Sequence, residues 1–298
     1  MNARAADSGT SREAFDQLLA QLRPKLHRYC ARMAGSVIDG EDLVQAALLK
    51  ALEAFADATT IANPEGWVFR IAHNTVLDFL RRRSRREFNR SDEDPDTMVD
   101  PKSAVDDREI VATSLRTFMR LPAAQRSSVI LMDVLGYSLQ QIGDVTSLSI
   151  PGVKAALHRG RARLRELAQE PDDLAVPVLA DRERSLLAAY VDRFNARDVD
   201  AVRMMLADEV RLDLVAKLRL HGRPEVSRYF SNYAKVEDWR LMPGLVDGHA
   251  AALVRDPGDP SGKPCYFVLL DWAADKLVCI RDFRFARYAI EGAEMVFL

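Results

Sequence analysis

Tyr137–Leu167 reads YSLQQIGDVTSLSIPGVKAALHRGRARLREL, two helical patterns separated by a short polar turn. Ser138 and Gln141 have capping-box spacing, so a first helix opens there with Leu139, Ile142 and Val145 turned inward. The chain turns through Ser147-Leu148-Ser149, Ser149 caps a second helix, and Pro151 stands at its start, where its missing N–H costs nothing. Val153, Leu157 and Leu164 form the apolar stripe of that second helix. Lys154, Ala155, His158 and Arg159 fall on the exposed side, with Arg161, Arg163 and Arg165 further along. Two helices, a tight turn and a basic second helix make a helix-turn-helix, whose second helix fits a DNA major groove. An amphipathic pair with a solvated basic face has the same local pattern, so this segment alone leaves both readings open.

The charge distribution favours the first. The whole chain of 298 residues has a formal net charge of -2, which averages over opposite segments. Residues 1–90 carry 14 Lys/Arg against 11 Asp/Glu, residues 110–170 carry 8 against 4, and residues 91–109 carry 2 against 8. Two basic segments flank an acidic tether, and a mildly acidic segment follows. The length implies two or three domains. Cys30, Cys265 and Cys279 are odd in number and widely spaced, so neither a disulfide framework nor a metal site is expected, and no cofactor is implied. No apolar run has the length of a membrane span and MNARAADSGTSRE has no signal-peptide core, so the expected compartment is the cytoplasm.

The first ninety residues read as helix throughout. Phe15, Leu18, Leu19, Leu22, Leu26, Tyr29, Cys30 and Met33 recur at spacings of three and four. Leu43, Val44, Ala47, Leu48, Ala51, Leu52 and Phe55 repeat the pattern in a second helix, entered through Asp39-Gly40, with Glu41 and Asp42 in its first turn. Asn63-Pro64-Glu65-Gly66 opens a third, which carries Trp67 and Phe69 and ends in Arg81-Arg82-Arg83-Ser84-Arg85-Arg86. Six basic side chains between Arg81 and Arg90 repel one another unless an anion lies near, and a phosphate backbone is the obvious one. Trp67 and Phe69 are suited to stacking on exposed bases, and equally to packing against the first two helices.

NPEGWVFRIAHNTVLDFLRRRSRR resembles the promoter-melting region of bacterial sigma-70-family factors. EDLVQAALLKALEAF resembles the preceding region, which docks on the clamp helices of RNA polymerase. LPAAQRSSVILMDVLGYSLQQIGDVTSLSIPGVKAALHRGRARLREL resembles the domain that reads the -35 element. Order and spacing are those of the extracytoplasmic-function (ECF) group, over roughly residues 11–168. The resemblance implies core RNA polymerase, through its clamp helices and flap, and promoter DNA as partners, a sigma region 2 over 11–90, an acidic linker over 91–109 and a region 4 over 110–170. It places Glu41, Asp42, Leu43 and Gln45 on the polymerase-docking surface. Asn63 falls in the loop that captures a flipped base, a role for which its amide is suited, as it is for capping the helix behind it. Trp67, Arg70, Asn74, Arg81 and Arg82 are assigned to strand separation and backbone contact at the -10 element. Lys154, Ala155, His158 and Arg159 are assigned to the -35 element, Lys154 and Arg159 toward phosphate or guanine and Ala155 toward a thymine methyl.

Beyond residue 170 the pattern changes. PDDLAVPVLAD reads as a linker over 171–182, and 183–298 as an α+β domain. Leu186, Leu187, Tyr190, Val191 and Phe194 mark a helix, Asp198 opens another, and Val210, Leu212 and Leu214 alternate as in a strand. A helix after Gly222-Arg223-Pro224 and strand-like runs near 239–247, 250–255, 265–271 and 276–285 complete it. YVDRFNARDVDAVRMMLADEVRLDL resembles the opening of SnoaL-like (nuclear-transport-factor-like) domains, whose cone-shaped fold encloses a pocket. The expected fold is therefore two all-α domains, the second a helix-turn-helix, followed by an α+β cone. Asp213, His221, Tyr229, Trp239, His249 and Arg281 are candidate pocket polars for a small ligand. No pair of them has the spacing of an acid/base couple, so no catalytic residue is assigned.

Some ECF factors with such an extension have a Trp-containing linker, a DGGGR-type loop and an NPDKL-like end. Here the linker lacks Trp, the loop is Leu220-His221-Gly222-Arg223 and the end reads Arg284-Phe285-Ala286-Arg287-Tyr288. The expected function is an ECF-type sigma factor, itself not an enzyme, whose output is modulated by the fused domain, by a small ligand or by an anti-sigma factor. The alternative is a SnoaL-like enzyme or ligand sensor tethered to a regulator that binds DNA without polymerase.

Overall fold

A computed structural model describes residues 3–56, 61–88, 114–170, 178–233 and 239–298. The chain divides into two compact units, Met1–Asp172 and Asp173–Leu298. The acidic segment expected to be a tether, and most of the expected second linker, lie outside the described residues.

The described elements of the first unit are helical. α1 spans Ala3–Ala34, α2 Val37–Ala56 and α3 Pro64–Phe88; α4 (Leu115–Met119), α5 (Ala123–Val129), α6 (Leu139–Thr146) and α7 (Ile150–Ala168) follow. α2 begins two residues before the Asp39-Gly40 entry that the sequence suggests. Ser36 Oγ accepts from the amides of Ile38 (3.1 Å) and Asp39 (3.3 Å), a side-chain cap that the first turn requires. Gly40 is instead an interior residue whose missing side chain lets α1 approach, since a Cβ there would meet Ala31 at 2.7 Å. After α5 the chain passes through a π-helical turn, Ile130–Val134. The capping box at α6 forms as expected, with Ser138 Oγ accepting from the Gln141 amide and Gln141 Oε1 from the Ser138 amide.

One continuous apolar core runs through this unit, from Phe15 and Leu26 through Phe69 and Val76 to Ile130, Ile142 and Leu157. The helices before residue 89 and those after 113 therefore share their interior rather than each closing a separate one. The buried guanidinium of Arg126 in α5 joins them by donating to the carbonyls of Met33 (2.5 Å), Met119 (3.0 Å) and Leu121 (2.8 Å).

The second unit is α+β. α8 (Asp181–Asn195) and α9 (Val199–Met205) precede β1 (Leu206–Leu214) and β2 (Leu218–His221). α10 (Arg223–Tyr233) is followed by β3 (Arg240–Val246), β4 (His249–Arg255), β5 (Pro264–Ala273) and β6 (Lys276–Asp282), and the chain ends in β7 (Met295–Phe297). The seven strands form one mixed sheet in the order β2-β1-β6-β5-β4-β3-β7, with β1 and β6 parallel and the other neighbours antiparallel. Register shifts at Leu206/Arg211, Val254/Arg255 and Asp271/Trp272 are the irregularities that bend and twist such a sheet. Two helices, then a strand, then helix and sheet is the succession expected from the SnoaL-like resemblance. β2 and β7 were not legible as strands; both are short edge strands with one neighbour each.

Candidate nucleic-acid interface

Ser149 Oγ accepts from the Gly152 amide at 3.2 Å and fixes the start of α7. Val153, Leu157 and Leu164 are buried as the stripe required, and Gly160 presses α7 onto α5, where an added Cβ would meet Val129 at 2.8 Å. This packing fixes the rotation of the helix. Lys154, His158 and Arg159 stand exposed on its outer side, with Ala155 half-buried beside them. Two cations and an imidazole on the first turns of a capped helix suit hydrogen bonding to base edges and phosphates in a major groove. The later arginines divide. Arg161 makes a two-pronged pair with Asp133, whose carboxylate is buried, and Arg163 pairs with Glu166 at 2.8 Å. Arg161 is thus anchored in the fold.

On α3, Asn74, Arg81 and Arg82 are exposed, and Arg81 lies 3.3 Å from Asp78. Asn63 Oδ1 accepts from the Gly66 amide at 3.0 Å, so the helix-capping use of its amide is the one formed here. Trp67 is half-buried with its ring 6.1 Å from Phe15, and Phe69 is fully buried beside Tyr29 and Tyr137. The packing reading therefore holds for Phe69, whose ring has no exposed face for a base. Arg70 is exposed, but its Nε donates to the Asp144 carbonyl of α6 at 2.8 Å.

The expected docking residues separate by depth. Glu41 is 1% exposed and paired with Arg23, and Leu43 is 6% exposed in the core, so neither is presented to a partner. The physical reason is the earlier start of α2 and its close contact with α1 through Gly40, which turn those two positions inward. Asp42 is exposed and Gln45 half-buried, and Leu49 (53% exposed) and Glu53 continue the same face at helical spacing. Leu49 lies one position outside the Val44–Leu48 stripe that the periodicity marks, which puts its side chain on the exposed face.

In the second unit the candidate polars do not converge. Arg219 and Arg281 are the cross-strand neighbours of Asp213 on β2 and β6, and His221 pairs across from Arg211. Asp213 and Arg211 alternate with buried Val210 and Leu212, which puts this set on the face away from the helices. His221 is exposed with Glu209 3.7 Å away, and His249 is exposed with Nδ1 3.1 Å from the Asp247 carbonyl. Alternation along β1 thus removes Asp213, His221 and Arg281 from any interior pocket.

Tyr229 and Trp239 are interior, in different surroundings. Phe194, Arg197, Val199, Val202, Phe230, Tyr233 and Trp239 line an open, shallow hollow that encloses about 10 Å³. The Arg197 guanidinium stacks 3.6 Å over Trp239 and donates to the Tyr233 carbonyl. Behind it, Asp282 is wholly buried. Its Oδ2 accepts from the hydroxyls of Tyr229 and Tyr233, each at 2.6 Å, and its Oδ1 from the Arg284 amide at 2.8 Å. Burial pushes the Asp282 carboxyl up, partly countered by the two tyrosine bonds. No sequence signal announced this cluster, because its members come from α10, β6 and the turn after it.

Among the described residues no group of three or more His, Cys, Asp or Glu side chains is gathered to hold a metal, and no helix is long and apolar enough to cross a membrane.

The family described as Sigma-70 region 2 matches residues 18–86, and Sigma-70, region 4 matches residues 115–164. The chain is 32% identical over 163 residues to the ECF RNA polymerase sigma factor SigM of Mycobacterium tuberculosis, a match covering 55% of this chain and 81% of SigM. It is 27% identical over 285 residues to the ECF RNA polymerase sigma factor SigG of the same organism, covering 86% of this chain and 77% of SigG. Among solved structures, the Mycobacterium tuberculosis ECF sigma factor SigJ is 21% identical, with 90% of this chain and 95% of that one covered at a TM-score of 0.35.

Proposed function

Because the chain belongs to the extracytoplasmic-function group of the sigma-70 family and so directs RNA polymerase to promoters, we propose that α7 reads the upstream promoter element through Lys154, Ala155, His158 and Arg159. The observation that carries this assignment is the capped start and buried stripe of α7, which fix those four residues on its outer side. On α3, Asn74, Arg81 and Arg82 hold the backbone of the strands opened downstream, and Asn63 and Trp67 sit at the entry of that helix. Asp42, Gln45 and Leu49 present the face of α2 that docks on the polymerase clamp, an acidic and partly apolar surface suited to a basic partner.

Base-edge and phosphate contacts predict different losses. Arg159→Ala or Lys154→Ala lowers promoter affinity by about 1–3 kcal/mol where the side chain meets guanine, with relaxed sequence preference at that position. Where it meets phosphate, binding weakens evenly across sequences and the salt dependence drops by about one charge. Titration of holoenzyme on promoter fragments at several salt concentrations separates the two, and unchanged affinity in both variants removes α7 as the reader.

A second reading concerns the fused domain, and the Arg197-capped hollow favours it. It encloses only about 10 Å³, room for a water-sized group and far below the roughly 300–1,000 Å³ of drug-sized sites, so a ligand would enter only as the lining moves apart. Asp282 is buried and accepts from two hydroxyls and an amide, so this carboxylate is held by the fold rather than offered to a substrate, and we read the domain as a sensor. Removing residues 173–298 then changes promoter output from the first unit, which has its own core; identical output from both lengths contradicts a sensing role.

A further inference from the structure

Like charges stand opposite each other at one end of the second unit's sheet. Arg240, the first residue of β3, has Arg255, the last of β4, as its direct cross-strand partner. Opposed residues of an antiparallel pair lie about 4.5–5.5 Å apart at Cα, and two cations so placed destabilise the sheet. Arg255 in turn faces Pro264, across the register shift that leaves Cys265 of β5 unmatched. A third cation reaches the same corner. Arg287 opens the short 3-10 turn Arg287–Ile290, and its guanidinium lies 5.4 Å from the centre of the Tyr266 ring. Burial raises the Cys265 thiol and the Arg287 charge, the next influence in size, draws it back down, so Arg255 and Arg287 flank one residue.

None of the three is neutralised. Among the described residues Arg240, Arg255 and Arg287 make no ion pair and no hydrogen bond. The Arg255 Nε is moreover buried without an acceptor. Arg126, Arg203 and Arg223 also have a buried, unmatched Nε, but their other nitrogens are committed to the fold, on backbone carbonyls and the Ser231 hydroxyl. The carboxylates of the adjoining β4–β5 turn are used within it: Asp256 accepts from the Gly258 amide, and Asp259 from the amide and hydroxyl of Ser261. An anion would relieve both the buried donor and the opposed cations.

We propose that Arg240, Arg255 and Arg287 form an anion site for a phosphate-bearing ligand at this end of the sheet. A phosphate group suits it better than a lone carboxylate, because its several charged oxygens can meet more than one guanidinium fork. None of the three arginines lines the hollow beside Trp239, so the proposal holds whether or not that hollow takes a ligand. The phosphate comes either from a soluble molecule or from a nucleic-acid backbone.

Calorimetric titration of the full-length chain with pyrophosphate at low salt tests the site. Arg240→Gln/Arg255→Gln keeps much of both side chains, removes both charges and lowers pyrophosphate affinity at least about tenfold. The helices α3 and α7 are the same in both proteins, so the difference belongs to the arginine pair. Arg184→Gln/Arg193→Gln takes the same charge from exposed positions of α8 and leaves the affinity as it was. Absence of pyrophosphate binding by the parent chain overturns the proposal. So do equal losses in the two double variants, since overall charge then accounts for both. Folding is checked in the same samples. Without pyrophosphate, Arg240→Gln/Arg255→Gln melts no lower than the parent, because it removes an opposed like-charge pair. A lower melting temperature would show that the fold itself needs the two guanidiniums, against a ligand site.

A short duplex without promoter sequence separates the two sources. Weaker duplex binding by Arg240→Gln/Arg255→Gln, with a salt dependence smaller by about two charges, assigns the phosphates to a nucleic-acid backbone. Equal duplex binding beside the loss of pyrophosphate affinity assigns the site to a soluble phosphate-bearing molecule.

Discussion

Arg126→Met lowers the stability of the first unit by about 3 kcal/mol, among the largest losses expected from one side chain in this chain. The Arg126 guanidinium is 5% exposed and satisfies three carbonyls on three segments: Met33 at the end of α1, Met119 at the end of α4, and Leu121 before α5. Burial pulls its pKa down to about 10, so the charge is held in the interior at a cost and remains ionised at neutral pH. Methionine fills much of the same volume, which keeps the cavity contribution small. It leaves the three carbonyls without a donor, at roughly 1 kcal/mol or more each. For a unit of this size the melting temperature falls by roughly 6–12 °C. A fall of less than about 2 °C would show that water or backbone movement satisfies those carbonyls and that Arg126 is not the joint between the two helical halves.

The second large effect is in the fused domain. Asp282→Leu leaves the hydroxyls of Tyr229 and Tyr233 and the Arg284 amide facing an apolar group, at a cost of about 3–5 kcal/mol. Asp282→Asn keeps an acceptor and costs less. The two variants also separate through pH. The carboxyl of Asp282 is raised in the folded chain, with burial as the main cause. A raised carboxyl binds its proton at a higher pH when folded than when unfolded. Between the ordinary value of about 3.9 and the raised one, the folded state therefore holds more protons, and stability increases as pH falls. The second unit is expected to melt at a higher temperature in mildly acidic than in neutral buffer, and Asp282→Asn is expected to remove that part of the slope. An identical slope in the parent and the asparagine variant would assign it to other groups.

What the sequence disclosed was local. The box at Ser138 and Gln141, the Ser149 cap and the Val153–Leu157–Leu164 stripe all lie within a few residues of the groups they satisfy, and each forms as read. Side chains whose role depends on distant partners were not legible. Glu41 looks like a first-turn carboxylate, but Ser36 starts the helix earlier and Arg23, 18 residues away, takes its charge. Arg126 and Met33 are 93 residues apart, and Tyr137 and Glu65 are 72 apart. Asp282 lies inside the strand-like run 276–285 with nothing to mark it, since its hydroxyl partners lie on α10, about fifty residues earlier. In β1 the alternation that identified the strand also placed Asp213 on its outer face, and only the buried Val210 and Leu212 show which face that is.

Lys154, Arg159 and the arginines of α3 acquire their meaning only if the chain brings polymerase to a start site. Reconstituted transcription measures this directly, with purified core RNA polymerase, the full-length chain and a library of genomic promoter fragments. A discrete set of promoter-dependent transcripts, absent without the chain and reduced by Lys154→Ala/Arg159→Ala, is the expected result. Transcription no different from core polymerase alone across the library would contradict it.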